Sequence, residues 1–269
     1  MSRSINVKLL AKLLFLIFST ISSFSQELKF TEAVYNDWIN MRIGDGISPV
    51  YYQGEAEIYS YPEGELLAKS IGVDMGFKIA VTPDSTLQLS RKIFLYIDAE
   101  SGEILESFGE KKVKHILFPY QMISYVRDNE KIRTWAVQGS GNKIRTIGPG
   151  IKLTARENGN TIIYTAPMFI NRVNTESTYQ IYENYDFIYS PDAKSNQDKY
   201  QITWSRFGYL PSFLGEGRSM SHRISRRLDN FEELDPRLKT YILNHAPLWK
   251  KPPMSLQEIK DLQENKIKY

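Results

Sequence analysis

Between residues 49 and 228, apolar and polar side chains alternate with period two in one short segment after another. Period two is the spacing at which successive side chains leave opposite faces of a β-strand, so the pattern predicts strands. It recurs over residues 49–61, 66–81, 85–98, 161–173, 177–189, 200–207 and 218–228, with weaker examples between. Turn chemistry separates the runs. Asp98 to Gly102 ends in a glycine where a positive φ is needed, and Asn158-Gly159 is a strong hairpin signal. Ten or eleven strands at such short spacing imply one antiparallel sheet system. The chain lacks the strand, long helix, strand alternation of a parallel α/β fold. A sheet this large curls into a barrel or splits into a sandwich. The expected fold is mainly β: a single antiparallel β-barrel of about ten strands, with an N-terminal helix and a helical C-terminal tail.

The two ends carry other periods. Residues 28–43 read as a helix that packs against or plugs the sheet, with Thr31 as N-cap and Gly44 as its stop. Asp235-Pro236 starts a second helix that runs to Pro247. Ser255 caps a short amphipathic helix expected on the outside of the barrel. Residues 1–25 have a different character. Arg3, Lys8 and Lys12 precede an apolar centre at Leu13 to Phe18, and Ser23-Phe24-Ser25 fits a small-x-small cleavage site. That is a secretory signal peptide, its apolar run too short to span a bilayer. The expectation is cleavage before Gln26, export to the periplasm or medium, no membrane span after cleavage, and residues 26–269 as one domain.

Charge and cysteine content narrow the function. Three of the 34 basic residues and none of the 31 acidic ones lie in residues 1–25, which leaves the remainder balanced at 31 against 31. Phosphate-contacting proteins keep a basic excess, so no nucleic-acid partner is expected. The chain has no cysteine, which excludes disulfides and thiolate chemistry and leaves the core to hold an exported protein together. Seventeen Tyr and 13 Phe suit strands and pocket walls.

An ordered set of short motifs carries a resemblance. These are Asn40 to Gly44, Val50 to Gly54, Ser90 to Asp98 running into Ser101 to Leu105, Lys114-His115, Trp204 to Gly215, and His245 to Pro247. In this order the chain resembles the family known as domain of unknown function 1838, whose members are mostly exported bacterial proteins. The resemblance implies export and an antiparallel β fold, and it brings no activity with it.

Candidate site residues come from the stretch between Tyr200 and Leu228. Its turn, Gly208 to Gly217, is apolar at Leu210, Phe213 and Leu214, so it must be buried against the body or cover something. Pro211 stiffens it. Trp204 and Arg206 share one strand face by period two. In residues 218–228, Met220, His222, Ile224, Arg226 and Leu228 share a face. If that face points inward, His222 and Arg226 are buried and need partners, and Glu216 is the carboxylate to hand. On another strand Arg91, Ile93, Leu95 and Ile97 share one face, and Lys92, Phe94, Tyr96 and Asp98 the other. The candidate ligand-binding set is therefore Arg91, Tyr96, His115, Trp204, Arg206, Glu216 and His222. The three histidines, His115, His222 and His245, lack metal-ligand spacing, no Gly-x-Ser-x-Gly motif is present, and no glycine loop joins a strand to a helix for phosphate. No metal and no cofactor is expected. Three functions stay open: a binding module whose barrel holds a small organic or carbohydrate-like ligand, an enzyme (lyase, isomerase or hydrolase) with a His/Tyr/Arg acid–base site in the same cavity, or an interaction protein with a filled interior.

Overall fold

The structure, a computed structural model, describes residues 26–139, 144–147, 150–173 and 178–267; residues 1–25, expected to be a signal peptide, lie outside the described residues. In chain order the elements are β1 (Gln26–Leu28), α1 (Glu32–Ile43), β2 (Val50–Tyr61), β3 (Leu66–Thr82), β4 (Ser85–Ile97), β5 (Ser107–Phe108), β6 (Lys111–Lys112), β7 (Ile116–Asp128), β8 (Lys131–Gly139) and β9 (Ile144–Ile147). They continue with β10 (Thr154–Asn158), β11 (Thr161–Val173), β12 (Thr178–Tyr189), α2 (Asn196–Lys199), β13 (Tyr200–Tyr209), β14 (Arg218–Leu228), α3 (Pro236–His245) and α4 (Leu256–Gln263). Twelve strands form one antiparallel sheet in the order β1-β10-β11-β12-β13-β14-β2-β3-β4-β7-β8-β9. The sheet curls into a half-barrel, and short β9 pairs with both β8 and β11, so the two sides meet over a few residues only. The expected mainly antiparallel β architecture is present. In detail, one of the weaker stretches between the clear runs forms two short strands, β9 and β10. The run around residues 103–118 contributes only the small β5–β6 hairpin before β7.

The inside of the curl is fixed by alternation. On β2 it is Val50, Tyr52, Ala56 and Ile58; on β4 it is Gln88, Lys92, Phe94 and Tyr96; on β12 it is Glu183, Tyr185 and Phe187. One end is filled by α1. Thr31 caps it by accepting the Val34 N–H at 3.3 Å, and Gly44 ends it with φ of +75°, a conformation that suits glycine. Tyr35, Trp38, Ile39 and Arg42 follow at i, i+3, i+4 and i+7, so they share the face that enters the barrel. Trp38 meets Tyr125 and Phe187 edge-on, at 5.3 and 5.8 Å between ring centroids. Burying such a ring accounts for about 3–5 kcal/mol on truncation, enough to seat the helix.

The outside of β3 and β4 is covered by the C-terminal segment. Tyr51, Ile71, Val73, Met75, Ile93 and Leu95 pack against Leu238, Ile242 and Trp249. Leu89 and Tyr120 pack against Ile259 and Leu262 of α4, which places the amphipathic helix outside the barrel as its pattern implies. Asp235 and Ser255 cap α3 and α4. Elsewhere the outer face is open. Phe169, Tyr182, Phe207, Met220 and Tyr59 stand directly opposite one another across five neighbouring strands, forming an outward apolar row.

Candidate functional site

Inside the curl lies a cavity of about 260 Å³. Its described lining runs from Arg42 at the end of α1 past Phe94 and Trp204 to Ala136 on β8 and Met168 on β11. Its walls are aromatic and charged together. Among the described lining residues are four cations, Arg42, Lys92, Arg206 and Arg223, and two carboxylates, Asp74 and Glu183.

The pairing of these charges is uneven. Lys92 Nζ sits 2.7 Å from Asp74 Oδ2, while the other Asp74 oxygen, Oδ1, is buried without a partner. Arg206 Nε lies 3.7 Å from Glu183 Oε1, close enough for ionic attraction and too far for a hydrogen bond. Glu183 also accepts from the Tyr185 hydroxyl at 2.8 Å. Burial, then the neighbouring Glu183 carboxylate, pushes the Tyr185 phenol well above its ordinary value, so it stays a proton donor. Arg42 uses neutral partners. Its Nε donates to the Tyr125 hydroxyl at 2.6 Å and to Gln88 Oε1 at 3.2 Å, and its guanidinium lies over the rings of Tyr125, Tyr185 and Phe187.

Arg223 is the outlier. It makes no hydrogen bond and no ion pair with the described residues, and its Nε is buried and unpartnered. Its guanidinium carbon sits 3.8 Å above the Phe94 ring and 4.9 Å from that of Trp204. The bed for this stack is written in the glycines. A Cβ at Gly72 would fall 1.9 Å from Phe94 Cδ1, so only glycine on β3 lets the Phe94 ring lie flat on the sheet beneath Arg223. Burial draws the Arg223 guanidinium down to about 10 against the opposing pull of Tyr185, Asp74 and Glu183. Trp204 adds one more buried donor without an acceptor, its indole Nε1.

The structure distributes the seven residues singled out in the sequence as follows. Trp204 and Arg206 line the cavity. Tyr96 and His115 meet just beyond its end, where the Tyr96 N–H donates to His115 Nδ1 at 3.1 Å and burial lowers the His115 ring below its ordinary value. There Phe213 and Leu214 of the Gly208 to Gly217 turn pack on Tyr96, Ile58 and Ile116, and Ile116 also lines the cavity. The apolar turn thus closes that end of the barrel. Arg91 is on the outer face, held by the C-terminal segment. Glu216 is exposed in the turn, and His222 is exposed on the outer face of β14, 3.2 Å from the Ser205 hydroxyl. The inward orientation considered for the His222 face is corrected: Ser219, Ser221, Arg223 and Ser225 point inward instead. The described residues contain no group of three or more His, Asp and Glu able to hold a metal ion.

Sequence reasoning did not single out Arg42, Asp74, Lys92, Glu183, Tyr185 or Arg223. Lys92 was legible as a face-mate of Tyr96, and Arg223 as the alternate partner of His222. Arg42 shares the helical spacing of Tyr35, Trp38 and Ile39, and Asp74 had no local signal.

The family model described as protein of unknown function (DUF1838) matches residues 48–266, most of the chain. The chain belongs to the DUF1838 family. No curated protein and no solved structure matches it. The DUF1838 match takes in every strand from β2 to β14 and the C-terminal segment, and hence all of the described cavity wall except Arg42.

Proposed function

We propose that this DUF1838 protein is exported and binds a small organic or carbohydrate-like molecule inside the half-barrel. The observation that carries the reading is the cavity itself. An apolar cavity of about 150 Å³ accepts a benzene ring, so one of about 260 Å³ has room for a two-ring molecule. Aromatic walls with a few convergent polar groups are the usual make-up of a ligand site. The test is calorimetric titration of the mature protein with naphthoate and with its neutral analogue naphthylmethanol, repeated on Ala136→Phe, which fills the lumen from β8. Binding of either molecule that disappears in the filled variant supports the site. If neither binds, or if filling changes nothing, the reading fails.

Export rests on the signal-like residues 1–25. Gln26 pairs with Glu157 on β10, so a cut before it leaves a new N-terminus tied to the sheet. Intact mass of secreted material is expected to begin at Gln26; retention of Met1 refutes this.

The enzyme reading draws on one observation. Asp74 keeps a free carboxylate oxygen in a cavity that also holds the Tyr185 proton donor. No histidine is among the described lining residues, so a carboxylate would serve as base. Chemical conversion of a bound ligand that is lost in Asp74→Asn, with binding kept, would establish it.

A further inference from the structure

We infer that the ligand carries an oxyanion head, a carboxylate or sulfonate on an apolar two-ring-sized body, and that Arg223, flanked by Arg206 and Trp204, receives that head. This deepens the cavity reading above and rests on it. Three observations converge. The described lining has four cations against two carboxylates, an excess of two positive charges. Asp74 pairs with Lys92, and Glu183 with Tyr185 and Arg206, and neither carboxylate is in an ion pair or hydrogen bond with Arg223 among the described residues. Arg223 itself has ring faces for company and no acceptor.

A guanidinium donates in its plane. Phe94 and Trp204 stack against its faces, which leaves the N–H edge for something else. A forked edge of this kind matches the two oxygens of a carboxylate or sulfonate. Arg206 stands two residues from Trp204 on the same inward face of β13, and Trp204 lies directly opposite Arg223 in the sheet register. The three side chains therefore form one cluster. Buried cations and N–H groups without acceptors are costly to a fold, and sites that keep them hold them for a ligand. The draw of burial on the Arg223 guanidinium agrees with a charge the protein leaves unneutralised. The rest of the cavity, towards Phe118, Ile123, Ala136 and Met168, is apolar and suits the body of such a molecule.

The experiment compares naphthoate, naphthalene sulfonate and naphthylmethanol on the wild type, Arg223→Met and Arg206→Met. The expected result is that the anions bind at least tenfold tighter than the alcohol, and that Arg223→Met removes this preference while leaving alcohol binding in place. Naphthoate over sulfonate assigns the head as a carboxylate; the reverse order assigns a sulfonate, and both orders support an oxyanion site. A melting temperature equal to or above that of the wild type is expected for Arg223→Met, because a methionine of similar length replaces an unpaired cation. Equal binding of alcohol and anions overturns the oxyanion head and leaves the cavity reading standing. Failure of all three probes overturns both. A clear fall in melting temperature would show the guanidinium to be structural and sink the inference. Should Arg223→Met not fold, that counts against it in the same way, and retained anion preference in Arg206→Met would then show that the cluster is not the receptor.

Discussion

Arg91 and Arg223 are both arginines on long central strands, both largely enclosed, and they face opposite ways. Arg91 points outward beneath the C-terminal segment and is fully buried. Its Nε donates to the Pro119 carbonyl at 2.7 Å, its Nη1 to the Leu248 and Lys251 carbonyls at 3.1 and 2.8 Å, and its Nη2 to Glu258 at 2.6 Å. The pairing of β4 with β7 shifts between Ser90 and Lys92, opposite Pro119. A proline has no N–H for the ladder, so the strand bulges there and its carbonyl is taken up by Arg91. Arg223 points inward and has none of this. One guanidinium has its needs met by the fold and holds a segment in place. The other does not, and the difference separates a structural charge from a candidate binding charge more clearly than burial does.

The largest expected effect tests the satisfied side. Arg91→Met breaks the link to Glu258 and leaves the Pro119, Leu248 and Lys251 carbonyls without their donor, and buried acceptors stranded in this number cost about 3–5 kcal/mol together. Chemical denaturation should show that loss, together with early proteolytic release of the C-terminal segment, which Trp249 and Tyr51 also tie down through Lys92 and Lys250 carbonyls. A loss as small as that of a surface pair would erase the contrast with Arg223.

Next comes the closure of the barrel end between the two regions. Phe213 is buried, with its ring 4.7 Å from that of Tyr96. Phe213→Ala should cost about 3 kcal/mol, the lower end for a core aromatic, because the turn can settle on Leu214. It should also weaken any cavity ligand, read by the same titrations. Unchanged stability would mean that the turn does not close the barrel.

How far this was legible follows from the same residues. Period two placed Arg91 and Lys92 on opposite faces of β4, and cap chemistry placed the starts of α1, α3 and α4. The face of β14 was harder. Its even positions, Met220 and Ile224, are the apolar ones, and a core reading turns them inward. They face solvent instead, 40% and 52% exposed, because Met220 belongs to the outward apolar row and the interior here is a polar cavity taking serines and Arg223. Apolar periodicity finds the inner face only where the inside is core. Arg42 and Asp74 reach the cavity through the docking of α1 and the curl of the sheet, and those are long-range facts that no local pattern carries.

A smaller effect concerns His115, which touches both regions: its Nδ1 accepts from Tyr96, and its ring meets that of Tyr241 on α3 at 5.8 Å. Burial depresses its pKa below the ordinary 6.5. A base depressed in the fold binds protons more readily when unfolded, so its contribution is complete above about pH 6.5 and is lost as the pH falls through the lower, folded value. Melting temperature should therefore decline in acid below about pH 6.5. The decline should be shallower in His115→Gln, with its amide in place of the titrating ring. Parallel profiles would remove His115 from the link between cavity end and tail.

The smallest effect on stability is expected at Arg206, and for that reason it is the sharpest test of the contrast. Its side chain is 22% exposed, and its link to Glu183 at 3.7 Å is an ion pair without a hydrogen bond. Glu183 keeps the Tyr185 hydroxyl when Arg206 is removed, so no carboxylate is abandoned. A partly solvated pair of this kind contributes under about 1 kcal/mol. Arg206→Ala should thus leave the denaturation midpoint nearly where it was, while weakening naphthoate relative to naphthylmethanol, since the anion loses one of two neighbouring guanidiniums. The comparison with Arg91 is what gives the result meaning. Two arginine truncations, one costly to the fold and silent for anion binding, the other silent for the fold and costly to binding, place structure on the outer face of the sheet and recognition on the inner one. If Arg206→Ala destabilises the protein as Arg91→Met does, its guanidinium belongs to the scaffold, and the division drawn between the two faces does not hold.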